Sequence, residues 1–233
     1  ARFFSKNQYI KPDAAIIGEP TSLVPVIMHK GHMSHRVAVT GQSGHSSQPD
    51  KGVNAIEIMH QVINALLSLK SKLSSNYRHE AFEVPHPTLN LGAISGGDNA
   101  NRICGHCELD LDLRAIPGLS DDELTLLLHE AIRPVNLKYP NRIVVEELHP
   151  SSPSFAQATH SELVTFSEQV TTHQCCAVNY ATEAPYIQAL GCQTIVLGPG
   201  SIDQAHQPNE FLLHSEIEKT ELFLMQAIKQ YCL

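Results

Sequence analysis

Positive charge is scarce in this chain: 16 Lys and Arg stand against 24 Asp and Glu over 233 residues, a formal net charge of -8. No basic stripe runs through it, which argues against a surface built for nucleic acid or anionic lipid and leaves small molecules as the expected partners. Long apolar runs are missing too. Nothing approaches the roughly 20 residues that span a bilayer, and Phe3-Phe4 beside Arg2 and Lys6 is too short for the core of a secretion signal. A soluble, cytoplasmic protein is the expectation. Cysteine is thin, six residues with Cys175 and Cys176 adjacent, so a disulfide scaffold is excluded and reduced thiols are expected. Cys104-Gly105-His106-Cys107 has the spacing of a redox motif, but it runs into an alternating strand pattern and does not open a helix that would lower a thiol pKa. No second such pair exists to complete a zinc ribbon, and there is no internal repeat or low-complexity segment.

What remains is an ordinary globular composition, 42% hydrophobic and 17% charged, sufficient for one large or two small domains. The opening residues read as the end of a helix and a loop, and Ala14 to Ile17 as a short buried strand. Gly18-Glu19-Pro20-Thr21 follows, with a carboxylate where Pro20 stops the ladder. One coherent pattern then runs from about His32 to Leu148. Val37 and Val39 point inward from a first strand, and Gly41 to Pro49 is a polar loop containing His45. Asn54 with Glu57 caps a helix whose face is Ile56, Met59, Ile63, Leu66 and Leu67. Thr88 to Ile94, with Leu89, Leu91 and Ala93 inward, pairs through a turn with a strand from Arg102 to Arg114. Ser120 and Glu123 form a capping box for a helix bearing Leu124, Leu127, Leu128 and Ile132, which Pro134 interrupts or kinks. Ile143 to Glu147 closes the pattern as a strand.

Strand, helix, strand, strand, helix, strand is the ferredoxin-like split βαβ unit, a complete small domain inserted into another chain. The expected division is residues 1–31 and 149–233 as two parts of one α/β domain, with 32–148 as the α+β insert. In the second part, Thr159 with Glu162 caps a helix through Leu163, Phe166 and Val170, and Val178 to Glu183 makes a short strand and loop. Ser215 with Glu218 caps a terminal helix bearing Ile217, Leu224, Met225 and Ile228. Gln193 to Leu197 reads as a buried strand that ends in the turn Gly198-Pro199-Gly200. His206 is thereby delivered on a loop at a strand's C-terminal end, where α/β sheets often hold their sites.

Four segments in order, Gly18-Glu19-Pro20-Thr21, Gly44-His45-Ser46-Ser47 inside an inserted split βαβ domain, Asn179 to Pro185 and Gly198 to Glu210, resemble the di-zinc aminoacylase and carboxypeptidase-like amidohydrolases. The resemblance runs along essentially the whole chain and leans toward the branch that deacetylates N2-acetyl-L-ornithine in arginine biosynthesis. It implies a zinc-exopeptidase-like catalytic domain, present in part, carrying an inserted lid and dimerisation domain. It implies two zinc ions, with cobalt as a workable substitute, Glu19 ligating one and His206 the other. It further implies that His45 reaches a partner subunit's site to steady an oxyanion, and that Arg114 and Asn101 hold the substrate's α-carboxylate. Glu183 and the loop with Gly200 and Ser201 would shape the pocket.

The family's His-x-Asp motif, bridging Asp and Glu-Glu pair have no counterpart here, so the chain resembles the C-terminal portion only. Alone, it is expected to be inactive and to hold little or no zinc, since a catalytic zinc usually takes three protein ligands. The implied activity of the parent is hydrolysis of the N-acetyl amide of N2-acetyl-L-ornithine to ornithine and acetate, by a homodimer built through the insert. A related deacylase or desuccinylase, or a non-catalytic dimerisation module, are the alternatives.

Overall fold

The computed structural model describes Phe3 and residues 11–233, so the expected helix end and loop at the start lie largely outside the described residues. The chain forms two compact units, Ala1–Lys30 with Ala81–Glu83 and Ser154–Leu233, and Gly31–Glu80 with Val84–Pro153.

The first unit is built on a five-stranded sheet. Its strands are β1 (Ala14–Ile17), β2 (Val26–His29), β9 (Phe155–Ala156), β10 (Cys176–Val178) and β11 (Gln193–Val196). The order is β1-β11-β2-β10, with β9 added to β2. The β1–β11 and β2–β10 pairs are parallel, and β11 meets β2 antiparallel through Val196 and Val26. Successive residues of a strand point to opposite faces. Ile27 and Ile195 accordingly join Leu163, Val164 and Phe223 in one buried cluster, while Val26 and Val196 join Phe155 and Ala184 in another. These clusters are supplied by helices α3 (Glu162–Thr171), α4 (Ala184–Gln188) and α5 (His214–Tyr231).

The second unit holds a four-stranded sheet of β3 (His32–Thr40), β5 (Thr88–Gly96), β7 (His106–Arg114) and β8 (Ile143–Ser152). Every pairing is antiparallel and the order is β5-β7-β3-β8, which is second, third, first, fourth along the chain, the ferredoxin-like arrangement. Met33, Val37 and Val39 of β3 and Leu109, Leu111 and Leu113 of β7 pack with helices α1 (Ala55–Asn76) and α2 (Asp121–Lys138) in one core. The outward residues of the same strands are polar and paired: Arg36 with Asp110 and Glu108, and Asp112 with both Arg114 and the His32 ring. A two-stranded ribbon of β4 (Gly44–His45) and β6 (Arg102–Ile103) completes the unit.

Several local expectations are corrected. Helix α1 buries Ala55, Ile58, Met59, Val62, Leu66, Leu69 and Leu73 and leaves Ile56 and Leu67 about half exposed, because this stripe keeps the 3 and 4 spacing for the helix's full 22 residues. In β5 a register shift between Leu91 and Ala93 turns Ala93 outward. Helix α2 continues through Pro134 to Lys138, so the proline does not end it. Strand β8 extends five residues beyond Glu147. Helix α3 is capped by Ser161, which accepts from the Val164 N–H, and Thr159 lies outside it. Helix α5 begins at His214 after Leu213, so Ser215 is inside it, and it buries Phe223 and Ala227 while Ile217, Leu224, Met225 and Ile228 stay exposed.

Candidate functional site

In the first unit, the parallel register of β1 and β11 sets Ile17 beside Val196, so the chain leaves both strands at the same edge of the sheet. Glu19 follows one strand and the Gly198 turn the other. The two backbones approach so closely that a Cβ at Gly198 would lie 2.6 Å from the Glu19 carbonyl oxygen, which only glycine permits. The turn is then stitched down. Thr21 N–H and Leu23 N–H donate to the Gly198 carbonyl at 3.3 and 3.0 Å, and Ser22 N–H donates to that of Gly200 at 2.7 Å. Gly198 N–H donates in return to the Thr21 hydroxyl at 3.2 Å, and Gly200 N–H to the Glu216 carboxylate of α5. Gly200 takes φ +85°, a conformation that suits glycine.

Beyond it, the Ser201 hydroxyl accepts from Asp203 N–H and starts a single turn over Ile202–Gln204. His206 comes next, exposed and at φ +64°. That left-handed backbone is uncommon outside glycine and persists only where its surroundings impose it. An open cleft of about 480 Å3 lies along these loops, lined by Glu19, Pro20, Gly200, Ser201, Gln204 and Phe211 among others.

The electrostatics join residues from three loops. Burial pushes the Glu19 carboxyl above its ordinary range, the negative charge of Glu183 pushes it further, and His206 opposes both. The Tyr180 hydroxyl is pushed up to about 12, by burial first and by Glu19 second. Glu19, Glu183, His206 and Tyr180 therefore share one field. Glu183 occupies the N-cap position of α4 and its side chain makes no capping bond, so the exposed carboxylate is not spent on the helix.

His29, which no local pattern in the sequence marks, sits under this loop. It is fully buried at the end of β2, against Phe155 at 5.3 Å between ring centres. Its Nδ1 lies 2.8 Å from the Lys30 carbonyl, and its Nε2 faces the N–H and hydroxyl of Thr182 at 3.3 and 3.0 Å.

The second unit holds the other expected residues, at two separate places. His45 is exposed on β4, paired with Arg102, and Ser46 N–H donates to the Asn101 carbonyl at 3.0 Å, so His45 and Asn101 are neighbours. The His45 Nδ1 accepts from Ser47 N–H at 3.2 Å, which leaves Nε2 to carry the ring proton outward. Arg114 is at the far end of β7. Eight residue steps separate it from His106, about 26 Å at the rise of a strand. Its Nε and Nη2 donate to the two oxygens of Asp112 at 2.9 and 3.1 Å. Cys104 and Cys107 are buried, and burial together with Cys104 and Glu108 pushes the Cys107 thiol up, the opposite of a reactive thiolate.

Glu19 and His206 are donors that suit zinc, close enough to interact. Among the described residues, however, no three His, Cys, Asp or Glu come together in a way that could hold a metal ion. A complete set would need donors from outside the described residues. Among those residues, no helix is long and apolar enough to cross a membrane.

The peptidase dimerisation domain family matches residues 27–140. The chain is 52% identical over its whole length to acetylornithine deacetylase of Proteus mirabilis (strain HI4320), covering 60% of that protein. It is 50% identical to acetylornithine deacetylase of Klebsiella pneumoniae (strain 342), again covering 60%. Among solved structures, an M20 family metallo-carboxypeptidase of Sulfolobus solfataricus matches with a TM-score of 0.75 at 15% identity, over 98% of this chain and 66% of that one. Aminopeptidase PepT of Bacillus cereus matches at 0.73 and 18% identity, over 98% and 59%. These identities speak for the fold alone, a mixed α/β arrangement shared with part of each of those longer chains. Residues 27–140 thus match the peptidase dimerisation domain family, and the chain spans about three-fifths of the length of the relatives named acetylornithine deacetylase.

Proposed function

We propose that this chain supplies part of the active site of a metal-dependent amidohydrolase that converts N2-acetyl-L-ornithine to ornithine and acetate, a step of arginine biosynthesis. The observation that carries the reading is the convergence of Glu19 and His206 at one sheet edge in a chain half identical to acetylornithine deacetylases. Glu19 and His206 would each donate to a zinc ion, completed by donors beyond this chain. Zinc, when bound, polarises the amide carbonyl and lowers the pKa of a water. Glu183, Gly200 and Ser201 would form the pocket wall around the substrate. His45 would donate its Nε2 proton to the developing oxyanion, for which its Nδ1 bond to Ser47 N–H prepares it. Asn101 beside it and Arg114 would hold the α-carboxylate, the guanidinium by paired N–H donors.

The reading requires a homodimer. β7 alone puts about 26 Å between Arg114 and His106, and β6, whose Arg102 pairs with His45, ends just before that far end of β7; a single N-acetyl amino acid is shorter than β7, so one substrate meeting both groups would take them from different protomers. A dimerisation domain over residues 27–140 supports this. The test is an assay of the protein that joins this chain to the remaining two-fifths of its relatives' length. Purified with zinc in the cytoplasmic pH range, it should turn over N2-acetyl-L-ornithine at least about tenfold faster than N-succinyl or other N-acetyl amino acids. Faster turnover of another acyl amino acid would overturn the substrate, and full activity in Glu19→Ala would overturn the site.

A further inference from the structure

We infer that His29 is a positioning residue for the Thr182-Glu183 step of the pocket, acting as a neutral imidazole with its proton on Nδ1. The inference rests on the proposed function in one respect only, that Glu183 lines the substrate pocket.

The protonation state follows from the partners. The Lys30 carbonyl can only accept, so the Nδ1 at 2.8 Å must carry a proton and donate it. The Thr182 backbone N–H can only donate, so the Nε2 at 3.3 Å must be bare and accept. With Nε2 bare, the Thr182 hydroxyl at 3.0 Å donates to it, and the hydroxyl oxygen in turn accepts from Ala184 N–H at 3.1 Å. Burial independently keeps the ring neutral, lowering its pKa to about 4. Every hydrogen in the chain of bonds thus has one place to go.

The geometry gives the chain a purpose. Thr182 and Ala184 flank Glu183, and both are anchored to the same imidazole, one directly and one through the Thr182 hydroxyl. Ala184 is the first residue of α4 and is fully buried, so the anchor also sets where that helix starts. Glu183 has no capping bond of its own, and its place beside Glu19 depends on its two neighbours. A buried polar chain with all members satisfied is a specific and rigid support. Losing the imidazole leaves the Thr182 N–H without this partner and frees the step to turn.

Two measurements test this. In this chain, nitrogen-15 NMR should find His29 protonated on Nδ1 and bare on Nε2, and Thr182 and Ala184 amides slow to exchange. His29→Leu should speed their exchange, whereas His29→Gln, whose amide oxygen can accept from Thr182, should keep them slow. In the longer active protein, His29→Leu and Thr182→Val should each lower kcat/KM about tenfold, with Thr182→Ser and His29→Gln retaining most of it. His29→Leu combined with Glu183→Gln should cost no more than Glu183→Gln alone, because His29 acts through Glu183. Losses that add in full would make His29 a general structural residue and overturn the inference, as would an Nε2-protonated ring or unchanged amide exchange in His29→Leu. If the longer protein deacetylates nothing, the proposed function fails, and the ring state and amide exchange still decide the positioning.

Discussion

If His45 and Arg114 serve the same substrate from different protomers, two inactive variants should rescue each other. The perturbation is a pair of chains in the longer protein, one carrying His45→Ala and the other Arg114→Ala. Neither change threatens the fold. His45 is exposed, and Arg114 is held by Asp112 in a partly exposed ion pair, so its loss costs at most about 1 kcal/mol. Each homodimer should lose about 100-fold or more in kcat/KM, the scale of removing one oxyanion donor or a paired guanidinium contact. In a two-fold dimer made from equal amounts of both chains, about half the molecules are mixed. If the pair acts across protomers, one site of each mixed dimer combines an intact His45 with an intact Arg114, and the other lacks both. The mixture should then regain about a quarter of wild-type activity. Coexpression with two different affinity tags isolates the mixed species, and ornithine release reads the outcome. Action within one chain predicts no rescue, since every site would lack one group. Well-formed mixed dimers no more active than the average of their parents would refute the reasoning from the length of β7.

Other consequences follow from the packing. Leu66→Ala should destabilise this chain by about 2–5 kcal/mol in urea unfolding, whereas the neighbouring Leu67→Ala, half exposed, should change it by less than about 0.5 kcal/mol. Pro134→Ala should stabilise the second unit by about 1 kcal/mol or more, since the helix already runs through that position and alanine restores the missing N–H and removes the ring; thermal melting of the chain reads this. His29, with a folded pKa of about 4 against an ordinary 6.5, takes up a proton more readily when unfolded, so its contribution is present above about pH 6.5 and lost as pH falls toward 4. That loss is about 2–3 kcal/mol by pH 4.5, and His29→Gln should flatten this part of the urea midpoint's pH dependence.

The split βαβ order was legible because each of its elements is self-announcing. The alternation of β3 and β7 and the Ser120–Glu123 box are local signals, and the structure keeps them. What failed was choice among local signals of equal strength. Helix α1 carries apolar residues on more than one stripe, and only the packed partners decide that Val62 and Leu69, not Ile56 and Leu67, go inside. Thr159–Glu162 satisfies the capping pattern as well as any, yet the side chain that caps α3 is Ser161. The register shift after Leu91 inverts the inward and outward positions of β5, and no rule of two can foresee it. Of the candidate site, the strand-end positions of Glu19 and His206 were readable from turns and breakers. His29 was not, because its partner Thr182 is 153 residues away and neither residue type announces the pairing.

The state of Arg114 adds a constraint on how a carboxylate could bind there. Its Nε and Nη2 already hold both oxygens of Asp112, so that edge of the guanidinium is filled. Arginine carries five N–H donors in one plane, and the edge formed by Nη1 and the second Nη2 hydrogen remains to receive a carboxylate. Asp112 therefore fixes the plane of the fork and leaves its second edge open, and His32 Nε2, 3.0 Å from the Asp112 Oδ2, holds the Asp112 carboxylate in turn. A lysine could meet Asp112 or the substrate, but as a single point charge it could not present a fixed edge to one while held by the other. If Arg114 receives the substrate's carboxylate, as proposed, the His32–Asp112–Arg114 pairing on an otherwise solvated strand face would orient its guanidinium for it.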